Sequence, residues 1–481
     1  MKDSYQTNTN SELQIERSYG IIIRFLCLLA AILLYGSRFE SSAQSVFILF
    51  VSSFFAFVEI RQSIKSKENS AIVNGNIWVL ISLLLIFVLS PLVRMATNTP
   101  LPLVFASQDV NTKLNQVNSL ASIAILALII GSRVSLKFST KSTRFRLPND
   151  GNVDRPSLLL SFLLVIFWLG LYFYWAISQS SPVAAVFGSR GAQQLNLITK
   201  TNGYLVDSLY GALGVFTAWL AYAIVLKRET LVWKLVAICL LFVIPSFLQG
   251  DRSKFIFFIL VITIMLTTVN KKISRIRIVI ALLLIPILVV APRVYRQSDY
   301  NFSQLSIKVL SGSNLLDTLT KEDTAMAPAL SILINNLGTN INYQYGESYL
   351  NLIGKPIPRS IWPNKPLEFD TQIMKVLFPN YAAAGVGFAF SAISEPLVNF
   401  GVSGVLLFFF LLGFGNQKLL KTLRNRPTST LLLINAWLAG FMFVLVRGNL
   451  SVDFQRALFP LLSGIIVLNA GKLYRSLKVE V

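Results

Sequence analysis

Arginines and carboxylates at the ends of apolar runs are the residues in this sequence equipped for chemistry. Gln249-Gly250-Asp251-Arg252-Ser253-Lys254 separates two hydrophobic runs. Arg447-Gly448-Asn449 ends another, with Asp453 and Arg456 close behind, and Ser394-Glu395-Pro396 opens one more. Arg359 and Lys365 lie in the stretch 354–366, where four prolines forbid a continuous helix and hold the backbone extended. Arg190 sits in Gly188-Ser189-Arg190-Gly191. Guanidinium forks bind phosphate oxygens bidentately and neutralise charge developing on a leaving group without a metal. A carboxylate within hydrogen-bond reach of a hydroxyl can take its proton. The chain has no histidine, so chemistry rests on carboxylates, arginines, lysines and hydroxyls. Each of these residues also has a plainer reading. Arginines at helix mouths commonly snorkel to the interface, and a basic, proline-rich loop can simply meet lipid headgroups.

The elements that must position these residues are membrane helices. The 481 residues are 54% hydrophobic and only 14% charged. A bilayer core needs about 20 apolar residues per helix, and the continuous, non-alternating runs predict about twelve helices rather than barrel strands. They fall at 20–36, 43–60, 72–92, 117–133, 156–178, 204–226, 231–248, 253–269, 274–292, 396–415, 429–446 and 455–471. Lys and Arg number 43 against 22 Asp and Glu, a balance that in a soluble protein would point to nucleic acid. Here the clusters Arg133–Arg155, Lys271–Arg277 and Lys418–Arg426 all fall on one side of the predicted helices. By the positive-inside rule that side is cytoplasmic, with both termini on it, so the charge reports topology and no nucleic-acid partner.

Three parts follow. Residues 1–293 carry helices one to nine, with an outer connection near 178–203. Residues 294–395 form a long outer segment rich in charge, aromatics and proline, and 396–481 carry the last three helices and a cytoplasmic tail. Cys27 and Cys239 lie in separate apolar runs, which predicts packing rather than a disulfide framework. An ionisable group at a helix centre in the bilayer costs roughly 2.5–3.5 kcal/mol, so Glu395 is expected to be shielded by protein or water. Tyr343, Tyr345, Tyr349, Trp362, Phe369, Phe378 and Tyr381 mark the long segment. Such rings stack on the C–H faces of sugars, and they equally anchor at a membrane interface.

Taken together, Pro358-Arg359-Ser360-Ile361-Trp362-Pro363-Asn364-Lys365-Pro366, Glu395 ahead of Asn399-Phe400-Gly401 and Gly404, and Gly250-Asp251-Arg252-Ser253 resemble motifs of a known family. With the helix layout and the late outer loop, the chain resembles the bacterial oligosaccharide repeat-unit polymerases, the Wzy-type O-antigen and capsule polymerases. The resemblance implies an all-α polytopic fold of the GT-C kind in the bacterial inner membrane. It also implies a glycosyltransferase acting at the periplasmic face on an undecaprenyl-pyrophosphate-linked donor and acceptor, with no cofactor and no metal. Chain-length control in such pathways belongs to a separate regulator protein.

In that setting Arg252, Arg359 and Arg447, with Arg190 and Lys365 behind them, are the candidates to hold the pyrophosphate. Glu395 is the first candidate for the base and Asp251 the second. Glu395 serves equally well as a structural partner that orients an arginine. The alternative function is a flippase for the same lipid-linked oligosaccharide. That reading expects charge along the middle of many helices, whereas most spans here have clean apolar centres.

Overall fold

The computed structural model describes residues 20–36, 42–65, 70–101, 105, 110–137, 155–177, 208–248, 252–269, 326–354, 362, 364, 366–383 and 388–479. Among these residues there is no strand, only one isolated bridge between Leu337 and Ile341. The helices are α1 Gly20–Gly36, α2 Ser42–Lys65, α3 Gly75–Ala96, α4 Leu114–Lys137, α5 Leu158–Ile177, α6 Leu209–Val225, α7 Glu229–Leu248 and α8 Arg252–Val269. After these come α9 Met326–Asn336, α10 Glu347–Gly354, α11 Phe369–Leu377, α12 Ser394–Asn425, α13 Ser429–Arg447 and α14 Leu450–Val479. Among the described residues, six helices are long and apolar enough to cross a membrane, and four shorter apolar helices accompany them. The chain is therefore an all-α polytopic membrane protein. The predicted run 274–292 lies outside the described residues.

Sequence chemistry sets the helix ends. Asn74 precedes α3 and its side-chain oxygen accepts from the Asn76 amide (3.0 Å), while Thr428 caps α13 by accepting from the Leu431 amide (3.1 Å). These bonds satisfy amides that have no partner within the first turn. In α3 a five-residue π turn, Leu85–Leu89, precedes Pro91, which continues the helix without donating an amide hydrogen.

Lipid tails are as apolar as leucine, so burial of apolar side chains cannot by itself drive these helices together. Close packing and internal hydrogen bonds must do so. The tightest contact joins α4 to α12, where Gly131 lies against the Phe410 carbonyl and Gly413 against the Leu128 carbonyl. α6 and α14 pair similarly, with Gly214 against Pro460. α13 runs through the middle and touches α3, α6, α8, α12 and α14. α2 and α5, by contrast, expose Phe47, Phe50, Leu158 and Leu159, as a lipid-facing perimeter requires.

Polar contacts sort the helix ends into two sets. At one end Glu59 of α2 pairs with Arg24 of α1 (3.3 Å) and Arg133 of α4 (2.7 Å), and the Ser157 amide donates to Val467 of α14 (3.0 Å). Toward the same end, buried amides link α3, α12 and α13. Asn76 donates to the Gly413 carbonyl (3.0 Å), Asn416 to Asn76 (3.0 Å) and Asn435 to the Val73 carbonyl (3.1 Å). In a bilayer such bonds average only about 0.6 kcal/mol each, so their main effect is to fix helix register. At the opposite end Ser45 donates to Asn115 (3.0 Å) and Ser331 to the Val110 carbonyl.

The long segment before α12 is more folded than a loop. α9 is buried from Met326 through Ile334 and packs against α4. Its stretch Met-Ala-Pro-Ala-Leu-Ser-Ile-Leu-Ile is too short to span a bilayer and apolar enough to be enclosed by protein. A second anchor is a ring cluster in which Phe105 meets Phe378 (6.0 Å) and Phe388 (5.9 Å), and Tyr381 meets Phe388 (5.8 Å). Phe369 and Phe378 are buried core residues, which takes them off the list of rings available to a ligand.

Candidate functional site

At the end of the bundle carrying α9, the start of α12, the end of α13 and the start of α14 form one corner. Its centre is Glu395, in the first turn of α12 and 1% exposed. The Ser348 hydroxyl of α10 donates to Glu395 Oε1 (2.8 Å), and the Ser451 amide, in the first turn of α14, donates to Oε2 (3.1 Å). The carboxylate thus meets an amide that the helix itself leaves without a partner, at the end where the helix dipole favours negative charge. Asn399, one turn on, donates to the Ser348 oxygen (2.7 Å) and the Glu395 carbonyl (2.8 Å) while accepting from the Gly346 amide (2.7 Å). Three helices and the turn before α10 are tied to one side chain and its neighbour. Among the described residues no arginine pairs with Glu395.

A second set of contacts lies beside it. Asn449 donates from Nδ2 to Asp370 of α11, and its oxygen lies 3.0 Å from the Ser394 hydroxyl. Asp453 pairs with Arg456 within α14. A Cβ at Gly448 would overlap the Asp453 carboxylate, so a side chain there would displace Asp453 from its place beside Arg456. The Ala392 amide donates to the Val446 carbonyl (3.0 Å), which brings Arg447, the last residue of α13, to the same corner as Glu395. Tyr349 packs with Phe400, ring centroids 6.4 Å apart and planes 19° from parallel. Burial and then the nearby Glu395 carboxylate push the Tyr349 phenol above its ordinary range, so it stays a neutral donor.

α12 is broken just past this clamp. Phe400 (φ −137°, ψ 16°) and Gly401 (φ 65°, ψ −153°) leave helical geometry, and the break turns Phe400 outward, where it is half-exposed. The Gly401 conformation is essentially closed to residues with a Cβ. Gly401→Ala is expected to cost about 2 kcal/mol even though no atom crowds the site. A thermal melt of the purified variant in detergent reads this directly, and an unchanged melting temperature would show the break to be unimportant.

Arg252 is the first residue of α8. Phe258 of that helix packs on Tyr210 (4.4 Å) near the start of α6, and α6 runs parallel to α14, with Gly214 against Pro460 and Gly464 against Ala218. This leaves the start of α8 at the same end as Arg447. The Arg252 side chain, together with Asp251, Arg190, Arg359 and Lys365, lies outside the described residues. Sequence reasoning named Asn449 only as the end of Arg447-Gly448-Asn449, gave neither it nor Ser348 a role and did not single out Asp370; an isolated Asp in a polar segment carries no local signal.

The family model for O-antigen polysaccharide polymerase Wzy matches residues 19–471, nearly the whole chain. The chain belongs to the Wzy O-antigen polymerase family. No curated protein and no solved structure matches it. Members of the Wzy family polymerise lipid-linked O-antigen repeat units in the membrane, and the match spans every described helix from α1 to α13. For a Wzy-family chain the corner around Glu395 has a clear structural meaning. It is where the short helices α10 and α11 are fastened to the long apolar helices α12 and α14.

Proposed function

We propose that this Wzy-family chain polymerises undecaprenyl-pyrophosphate-linked repeat units at the periplasmic face of the inner membrane, with both termini cytoplasmic and a GT-C-like helical frame. The acceptor hydroxyl, on the non-reducing terminal sugar of a new repeat unit, attacks the anomeric carbon of the donor glycan. The bond from that carbon to pyrophosphate breaks, and undecaprenyl pyrophosphate leaves with the electron pair. Arg447 and Arg252, joined by Arg359 and with Arg190 and Lys365 as second-rank candidates, neutralise the pyrophosphate as its charge grows. Asp251 accepts the hydroxyl proton. Glu395 acts as a positioning residue, because a carboxylate 1% exposed with both oxygens engaged offers no open face to a sugar hydroxyl.

The observation that carries this reading is the family match over 19–471. Purified protein in nanodiscs, given synthetic undecaprenyl-pyrophosphate repeat units with chelator present, is expected to build a glycan ladder on a gel. Arg447→Ala or Arg252→Ala should cut the rate about 100-fold or more, the effect of removing one preorganised donor to a developing anion. Folded protein that makes no ladder from its cognate repeat unit would favour the flippase reading instead.

A further inference from the structure

Resting on the polymerase reading, we propose that Tyr343 and Tyr345, beside the stacked Tyr349–Phe400 pair, form a shelf on which a sugar ring of the lipid-linked glycan stacks. Tyr345 is 80% exposed and sits at φ 47°, a left-handed backbone conformation that bulky residues rarely adopt. Strain of this kind persists only where the surroundings over-determine it. Here they do. The Gln344 amide donates to the Val398 carbonyl (3.0 Å), and the Gly346 amide donates to the Asn399 side chain (2.7 Å). The Gln344 side chain also donates to Gln372 of α11 (2.8 Å). The backbone is therefore held on both sides of Tyr345 while its ring points away from the protein.

The neighbouring rings extend the surface. Tyr343 is 42% exposed and its ring lies 6.3 Å from that of Tyr345, tilted by 43°. Phe400, turned out by the break in α12, is 49% exposed and backed by Tyr349. Rings presented on a rigid turn suit a ligand with one apolar face and polar edges. A pyranose has that form, with C–H bonds across its face and hydroxyls that a phenol can meet. A membrane anchor needs no such device, because any interfacial tyrosine on an unstrained turn serves. The turn is also fastened through Asn399 to the Glu395 corner, the corner to which the end of α13 also comes.

Binding can be read without turnover. Saturation-transfer difference NMR, irradiating aromatic protons of the detergent-solubilised chain, is run with soluble repeat-unit oligosaccharide released by mild acid from the source cell's own polysaccharide. Wild type is expected to saturate ring-face C–H protons. Tyr345→Ala should weaken binding roughly three- to tenfold, the range for one aromatic contact, and Tyr345→Trp should preserve it. Leu350→Ala, a change at a well-exposed apolar side chain on α10, serves as the control and should leave binding as it is. In the ladder assay Tyr345→Ala should raise the acceptor KM more than it lowers kcat. Equal saturation in wild type and Tyr345→Ala overturns the shelf even if the ladder forms. So does a variant whose membrane partition alone changes. Wild type that binds through Tyr345 yet forms no ladder overturns the polymerase reading and leaves the shelf standing.

Discussion

Alanine at Glu395 is expected to cost the fold about 3–5 kcal/mol and to abolish polymerisation, whereas glutamine is expected to keep both largely intact. The first figure follows from the contacts. Two hydrogen bonds to a charged acceptor contribute about 1.5–3 kcal/mol each, and both donors are left buried without a partner when the carboxylate goes. The donors are the Ser348 hydroxyl of α10 and the Ser451 amide of α14, so this one enclosed carboxylate joins both helices to α12. Glutamine fits the same space. Its oxygen can accept from the Ser451 amide, and its amide group can donate to the Ser348 oxygen, with the Ser348 hydrogen turned elsewhere.

The two variants separate a positioning role from proton transfer. Loss of a general base costs about 10²- to 10⁴-fold in rate with little change in stability. Melting temperature and initial rate are measured together for Glu395→Gln and Glu395→Ala. A Gln variant that melts like wild type but is slowed a hundredfold would make Glu395 the base and remove that part of the proposal from Asp251. A Gln variant close to wild type in both, beside an unfolded or labile Ala variant, would establish the clamp.

Much of the frame was legible from long, non-alternating apolar runs, because backbone amides in lipid must be paired within a helix or a closed barrel and only the helix suits such runs. The runs at 117–133 and 429–446 became α4 and α13, and the run at 396–415 became part of α12. The continuation of α12 to Asn425 and of α14 to Val479 was not legible. Polar and basic residues at a helix end look the same in sequence whether the helix stops at the headgroups or runs beyond them. α9 was also missed, since an eleven-residue apolar stretch inside a polar segment gives no membrane signal.

At the site, Glu395 stood out because a carboxylate at the mouth of an apolar run must be satisfied somehow. Its partners did not stand out. Ser348 lies 47 residues earlier and Ser451 56 residues later, and only the path of the chain brings them together. The aromatic list divided for a similar reason. Phe369 and Phe378 went into the core, while Tyr343 and Tyr345 were held outward by a turn whose backbone bonds no local pattern announces.

Valine at Gly413 is expected to prevent folding altogether, and alanine there to cost about 3 kcal/mol, the upper part of the range for overpacking a tight interior. The reason is reciprocal geometry at the crossing of α4 and α12. A Cβ added at Gly413 would overlap the Leu128 carbonyl oxygen, and one added at Gly131 would overlap the Phe410 carbonyl oxygen. Both obstacles are backbone atoms of the facing helix, so no side chain can swing aside and the helices must part. Parting them forfeits the packing that holds the pair in lipid, where no hydrophobic drive compensates. It also shifts the opening turn of α12, and with it Glu395.

A control lies on the same helix. Gly415 has no atom within 4 Å of an added Cβ, so Gly415→Ala should be tolerated and can stabilise α12 slightly through its better helix propensity. Fluorescence-detected size exclusion after mild heating ranks the three variants. The expected order is Gly415→Ala at or above wild type, Gly413→Ala well below it, and Gly413→Val without a monodisperse peak. Equal tolerance at 413 and 415 would mean that α4 and α12 can part without loss, and that the Glu395 corner is held by its own hydrogen bonds rather than by the helices beneath it.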